Sequence, residues 1–172
     1  MAGEVLVLVE QSGGKAVDVS LEALTFARAF GGPVHALVIR SLVDLGAYGV
    51  RVTHVAEHEA LDAFAPEAWA AIAGQLADRL GARAVMAAGT DRGNEVMARV
   101  AARAGLPLAA NCTAATQGPP LTVTRLRWGG SLLEEARMHS PRPLITVAPH
   151  VVTVEQAPVA NEVDRFTPQL KE

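Results

Sequence analysis

Val5-Leu6-Val7-Leu8-Val9-Glu10, followed by Gln11-Ser12-Gly13-Gly14, is the stretch that decides the fold. An aliphatic run without polar alternation is the pattern of a strand buried on both faces, and the polar, glycine-bearing end closes it with a turn. Outward from it, Asp18 or Ser20 can cap a helix in which Leu21, Leu24 and Arg28 mark the period and Gly31-Gly32 the stop. Val34 to Ile39 and Val52 to Val55 are the second and third strands. Ala65-Pro66-Glu67 opens the next helix, with proline in the first turn and an acid at the positive dipole end. Trp69, Ile72, Leu76 and Leu80 form its stripe before Gly81, and Ala82 to Ala88 is strand four. From Asn94, the residues Val96, Met97, Val100, Ala101 and Ala104 form a further helical stripe that ends at Gly105, with Pro107 just beyond.

Strands alternating with helices imply βαβ units and right-handed crossovers. The chain is therefore predicted as α/β: a Rossmann-like, three-layer, doubly wound, mostly parallel sheet with strand order 3-2-1-4-5. After Pro107 the period changes, and Thr113 to Gln117, Leu121 to Trp128, Ser131 to Met138 and Pro143 to Ala148 read as strands with no helix between them. Gly129-Gly130 fits a two-residue turn joining the middle pair, which gives a C-terminal β-hairpin extension. Residues 1–150 make the domain; residues 151–172, weakly periodic and ending in a charged, proline-containing stretch, read as a linker or docking tail.

Composition sets the limits. The chain has 172 residues, half of them hydrophobic, enough for one sizeable core and too few for two catalytic domains. A net charge of -3 argues against a nucleic-acid partner, which calls for basic excess. No run approaches the roughly 18 apolar residues of a spanning helix, so no membrane insertion is expected. The N-terminus lacks the basic region of a signal peptide, and a cytoplasmic protein is the expectation. Cys112 is the only cysteine, which excludes an internal disulfide or a CxxC motif, and it reads as a small buried hydrophobe.

No catalytic residues can be assigned. Gly13-Gly14-Lys15 lacks the earlier glycine and the following Ser or Thr of a phosphate-binding P-loop, and there is neither a GxGxxG after strand one nor a GxSxG elbow. His54 and His58 have the i, i+4 spacing of a zinc pair, but His54 falls at a strand end, where that spacing does not bring the rings together; a solvated loop is the reading, with no metal. In the predicted order, strands one and four are central neighbours, so the ligand crevice lies between residues 10–15 and 89–94. Gly89-Thr90-Asp91-Arg92-Gly93-Asn94 precedes a helix N-terminus suited to phosphate. There Thr90 and Asn94 supply hydrogen bonds, Asp91 suits a ribose hydroxyl and Arg92 neutralises phosphate; an ordinary polar turn with a helix cap is the competing reading. Arg125, Arg127, Arg137 and Arg142 gather around Trp128, with Glu134 and Glu135 as cross-strand partners or with the whole as part of a docking face.

In order along the chain, these segments resemble the N-terminal domain of the electron transfer flavoprotein alpha subunit. Val5 to Glu10, Gly14-Lys15 and Ser20-Leu21-Glu22-Ala23-Leu24 match that family's first strand, loop and helix. Phe64-Ala65-Pro66-Glu67-Ala68-Trp69 is similar to its Y-x-P-E-A-[WY] helix entry, and Gly89 to Ala101 to its A-T-S-x-G-x-x-L-x-x-R-[LV]-A loop and helix. Arg125 to Leu132 resembles its R-P-[IV]-Y-x-G-N-A element, and Leu144 to Pro149 its V-L-T-V-R-P strand. Two departures stand out: Ala110-Asn111-Cys112-Thr113 lacks the acid of the family's S-D-V-T, and Leu126 replaces the proline of the R-P element.

The resemblance implies a module that supports electron transfer by assembling with a flavin-bearing partner. In the family the alpha subunit continues into a second domain with most flavin contacts, which this chain stops short of. FAD is thus expected only through a partner or the missing domain, with none held tightly by this chain alone. The implied partner is a beta-like subunit or a flavin domain, with a homodimer as the other option. In the related beta subunit the loop equivalent to Gly89–Asn94 holds AMP, which makes AMP a possible ligand here, while the alpha domain keeps the fold without a nucleotide. A stand-alone adenine-nucleotide binder resembling universal stress proteins and an enzyme of the wider nucleotide-binding superfamily are the alternatives.

Overall fold

Strand β1 (Val5–Leu8) explains the layering. Val5 and Val7 enter one apolar cluster with Leu24 and Phe26, while Leu6 and Leu8 enter another with Ile72, Leu76 and Met97, as the two-residue period of a strand requires. The computed structural model describes residues 3–171. After β1 comes a short hairpin, β2 (Gln11–Ser12) and β3 (Lys15–Ala16), then helix α1 (Asp18–Arg28), β4 (Val34–Ile39) and β5 (Val50–Ala56). A 3-10 turn at Glu59–Leu61 leads into α2 (Pro66–Leu80), β6 (Ala84–Ala88) and α3 (Asp91–Ala104). The remainder is β7 (Leu108–Thr116), β8 (Leu121–Arg127), β9 (Leu132–Met138), β10 (Leu144–Val147) and β11 (Glu162–Phe166). Leu6, Leu24, Ile72, Met86, Met97 and Ile145 are fully buried, each stabilising the fold by about 1.5–3 kcal/mol relative to an exposed side chain.

The main sheet has nine strands in the order β11-β5-β4-β1-β6-β10-β7-β8-β9, parallel except around β8. This is the expected α/β, doubly wound, mostly parallel architecture with a hairpin extension. The order 3-2-1-4 is present as β5-β4-β1-β6, but the fifth place belongs to β10 and not to the next strand in the chain. Burial gives the reason: all four residues of β10 are buried, whereas β7 mixes buried, half-buried and exposed positions. The strand that is apolar on both faces takes the position covered on both faces.

Four local expectations are corrected. Helix α1 has no side-chain cap; Ser20 Oγ instead accepts the Glu10 N–H at 3.0 Å, tying the helix to the end of β1. Helix α3 starts at Asp91 with Thr90 as its cap, so Asp91, Arg92 and Gly93 are its first turn and not a preceding loop. Arg127 pairs with Leu132, so the loop of the C-terminal hairpin has four residues; Trp128 adopts φ +53°, and its carbonyl accepts both Ser131 N–H and Ser131 Oγ–H. Strand β7 begins directly after Pro107, with Asn111 at φ +56° in its middle.

The stretch 151–172 is expected as a linker or docking tail, yet its described residues, 151–171, lie along the domain. Ala157 and Val159 donate to the carbonyls of Ala47 and Gly46, and β11 pairs in parallel with β5 in a register that sets Asp164 beside His54. Phe166 and Leu170 pack against the second apolar cluster. Charged residues fill most of β11, as suits an edge strand, and they hide its period in the sequence.

Candidate functional site

The crevice forms at the C-terminal ends of β1 and β4, with a volume of about 420 Å³. Gly13 and Gly14, at φ +59° and +78°, turn β2 into β3 so that the short hairpin makes one wall. Gln11 braces that wall, donating from Nε2 to the carbonyls of Ile39 and Ser41 at 3.0 and 2.9 Å. The opposite wall is Leu61 to Phe64 with Trp69 behind it. Phe64 and Trp69 meet edge to face at 4.9 Å, and the Arg92 guanidinium lies 4.7 Å from the Phe64 ring centre, a cation–π contact that holds the cation at the mouth. Arg40 pairs with Asp62 at 3.2 Å on the rim.

Of the six residues 89–94, only Arg92 lines this crevice. Thr90 Oγ1 accepts the Gly93 N–H at 2.9 Å and donates to the Glu10 carboxylate at 2.5 Å. The Asn94 N–H goes to the Thr90 carbonyl. The Asn94 side chain turns away from the crevice: its Nδ2 donates to Gly89 O at 3.3 Å and Asn111 Oδ1 at 3.4 Å, and its Oδ1 accepts from buried Thr146 at 2.7 Å. Gly89 and Gly93 serve close packing, since a Cβ on Gly93 would sit 2.0 Å from the Ala88 carbonyl oxygen and one on Gly89 2.6 Å from Asn111 Oδ1. Asp91 is an exposed acid in the first turn. A nucleotide phosphate needs free N–H groups at a helix start, but here Gly93 N–H is engaged and the Glu10 carboxylate already faces the cap. Thr90 and Asn94 are thus occupied by contacts within the protein, and Arg92 alone of the six faces the crevice.

The other predicted clusters separate. Arg125 pairs with Glu134 at 2.6 Å across β8 and β9, the expected cross-strand bond; the arginine holds the Glu134 carboxyl below its usual range. Arg142 does not join that face: it clamps α2 to β10, contacting Asp78 at 2.6 Å and the carbonyls of Ala82 and Ala77. Trp128 (79% exposed) and Leu133 (69%) stand out from the hairpin, beside a groove of about 460 Å³ lined by Asn111, Arg127, Trp128 and Pro149 among others. Cys112 is buried, and that burial pushes its thiol pKa up to about 12.

His54 and His58 are not brought together. His58 caps the 3-10 turn through Nδ1, while His54, read as part of a solvated loop, is buried in β5 against His35 of β4. His35 as the one polar residue of the otherwise aliphatic β4 was the signal available for this pair.

A family model described as the electron transfer flavoprotein domain matches residues 5–170. The electron transfer flavoprotein subunit alpha of Mycobacterium tuberculosis is 33% identical over 92% of this chain and 51% of its own length. The same subunit from Mycobacterium leprae is 32% identical over the same shares, and that from Thermoanaerobacterium thermosaccharolyticum 27% identical over 87% and 49%. The chain thus spans about half the length of the curated relatives it matches.

Proposed function

The chain belongs to the electron transfer flavoprotein domain family, and from that premise we propose that it works as an alpha-subunit-like module that supports electron transfer by assembling with a flavin-bearing partner. In this reading the module is a carrier component and not a catalyst, and its partner is a beta-like subunit or a flavin domain. FAD, which supplies the one- and two-electron chemistry when bound, is held by that partner or by a further domain. The alpha-subunit relatives support the module reading over a stand-alone nucleotide binder.

The observation that carries the proposal is the β7-β8-β9 extension. Leu132 (52% exposed), Leu133 and Trp128 lie on or beside the edge strand β9, away from the three helices described. Exposed apolar groups on an uncovered sheet edge are an association hazard unless a partner covers them. The crevice points the same way, because Thr90 and Asn94 serve internal packing. Among the described residues no helix is long and apolar enough to cross a membrane.

Co-expression of the chain with an electron transfer flavoprotein beta-like subunit tests this, with native mass as the readout. A stable hetero-complex that Trp128→Ala with Leu133→Ser weakens at least tenfold, while both chains stay folded, is the expected result. A chain that remains monomeric, or that forms only a homodimer, would refute the hetero-complex.

A further inference from the structure

Strand β9 ends the order of the main sheet, and among the described residues no strand lies beyond it. Its pairing with β8 runs without a bulge from Arg127–Leu132 to Leu121–Met138, and its residues, Leu132-Leu133-Glu134-Glu135-Ala136-Arg137-Met138, include no proline. Bulges and prolines usually blunt a sheet edge, so charge is the guard that remains. Its pattern here is uneven. Glu134 is taken by Arg125 at 2.6 Å within the hairpin. Glu135 and Arg137, both exposed, stand opposite Thr124 and Thr122 and have no ion-pair partner among the described residues.

Two copies of one edge can meet antiparallel about a two-fold axis, so that each contact occurs twice. An edge strand turns its N–H and C=O groups outward only at alternate residues. Residues set opposite each other must therefore be both odd-numbered or both even-numbered, and the axis must pass through a residue. An axis through Glu134, Glu135 or Arg137 sets that charge against its own copy, which is destabilising. An axis through Leu133 overlaps only residues 132–134 of each strand. An axis through Ala136 has neither fault: it sets Glu135 of each copy against Arg137 of the other and Glu134 against Met138, with a small side chain at the centre. We propose that β9 is a self-pairing edge, through which two copies of the chain join their sheets antiparallel across a two-fold axis at Ala136, held in register by two Glu135–Arg137 pairs.

A single strand pair covers less surface than a standard interface, so this dimer is weak and forms in the micromolar range or above. Its ion pairs are at the surface, and salt loosens it. A partner that covers Trp128 and Leu133 occupies the same edge and excludes the second copy. Self-pairing is thus a property of the chain without its partner. It is measured on the chain alone, whereas the hetero-complex is measured by co-expression, so either can fail while the other holds.

Sedimentation of the full chain over a range of concentrations at low salt, with two charge reversals, tests the register. The unmodified chain is expected to dimerise reversibly. Glu135→Arg and Arg137→Glu each place like charges at both pairs, and each should weaken the dimer by about tenfold or more. An equal mixture of the two single variants sets unlike charges opposite at both pairs again, and it should regain the affinity of the unmodified chain. Circular dichroism of each variant checks that the exposed substitutions leave the fold intact. An unmodified chain that stays monomeric up to about 1 mM, single reversals that leave the dimer unchanged, or a mixture no tighter than its components would overturn the proposal.

Discussion

Thr90 donates its hydroxyl hydrogen to the Glu10 carboxylate at 2.5 Å while accepting the Gly93 N–H, so a side chain from the end of β1 faces the start of α3. The partial positive charge of a helix start is compensated here from within the protein. Glu10→Gln keeps the shape and removes the charge. It is expected to destabilise the fold by about 1–2 kcal/mol, read from urea unfolding; an unchanged midpoint would show that the carboxylate does not matter to the cap.

Gly93→Ala should be far more damaging than a usual helix substitution, which favours alanine. The added Cβ meets the Ala88 carbonyl oxygen at 2.0 Å, a backbone atom that cannot swing aside. A loss of about 3 kcal/mol or more is expected, by the mechanism of overpacking. A neutral or stabilising effect in thermal unfolding would mean that the α3 start sits further from β6.

Asn94→Leu separates packing from ligand binding. Removing the amide leaves buried Thr146 without its acceptor and costs about 2–3 kcal/mol. In calorimetry with AMP and with ATP, the unmodified chain and Asn94→Leu are both expected to give no binding heat. Heat from the unmodified chain that Asn94→Leu abolishes would return the phosphate role to this residue.

The difference between Asn94 read from sequence and Asn94 in the fold shows where legibility ends. Strands such as Val5–Leu8 and Val34–Ile39 were legible because burial on both faces leaves a continuous aliphatic run. Strand β11 was not, because its exposed edge selects charged residues that mimic a linker. The place of β10 between β6 and β7 depends on comparing the burial of two strands, a tertiary quantity. One wall of the crevice was legible through Glu10, Gly13 and Gly14, but the other, Leu61 to Phe64 beside β4, was not, and of residues 89–94 only Arg92 reaches the crevice. The direction in which Thr90 and Asn94 turn was not, since it depends on Asn111 and Thr146, far along the chain.

Cys112 should be inert in the folded chain. Burial pushes its thiol up to about 12, so the reactive thiolate is scarce at neutral and mildly alkaline pH. A thiol reagent such as Ellman's should label it only at the rate of unfolding and quickly in denaturant. Fast labelling of the native chain would place the thiol at the surface.

The central claim, that this domain is a module whose flavin sits on a partner, is met most directly by visible absorption of the purified chain, alone and after assembly with a beta-like subunit and a flavin domain. The expected result is no stoichiometric flavin on the chain alone and flavin in the assembled complex. One tightly held flavin per monomer of the chain alone would contradict it.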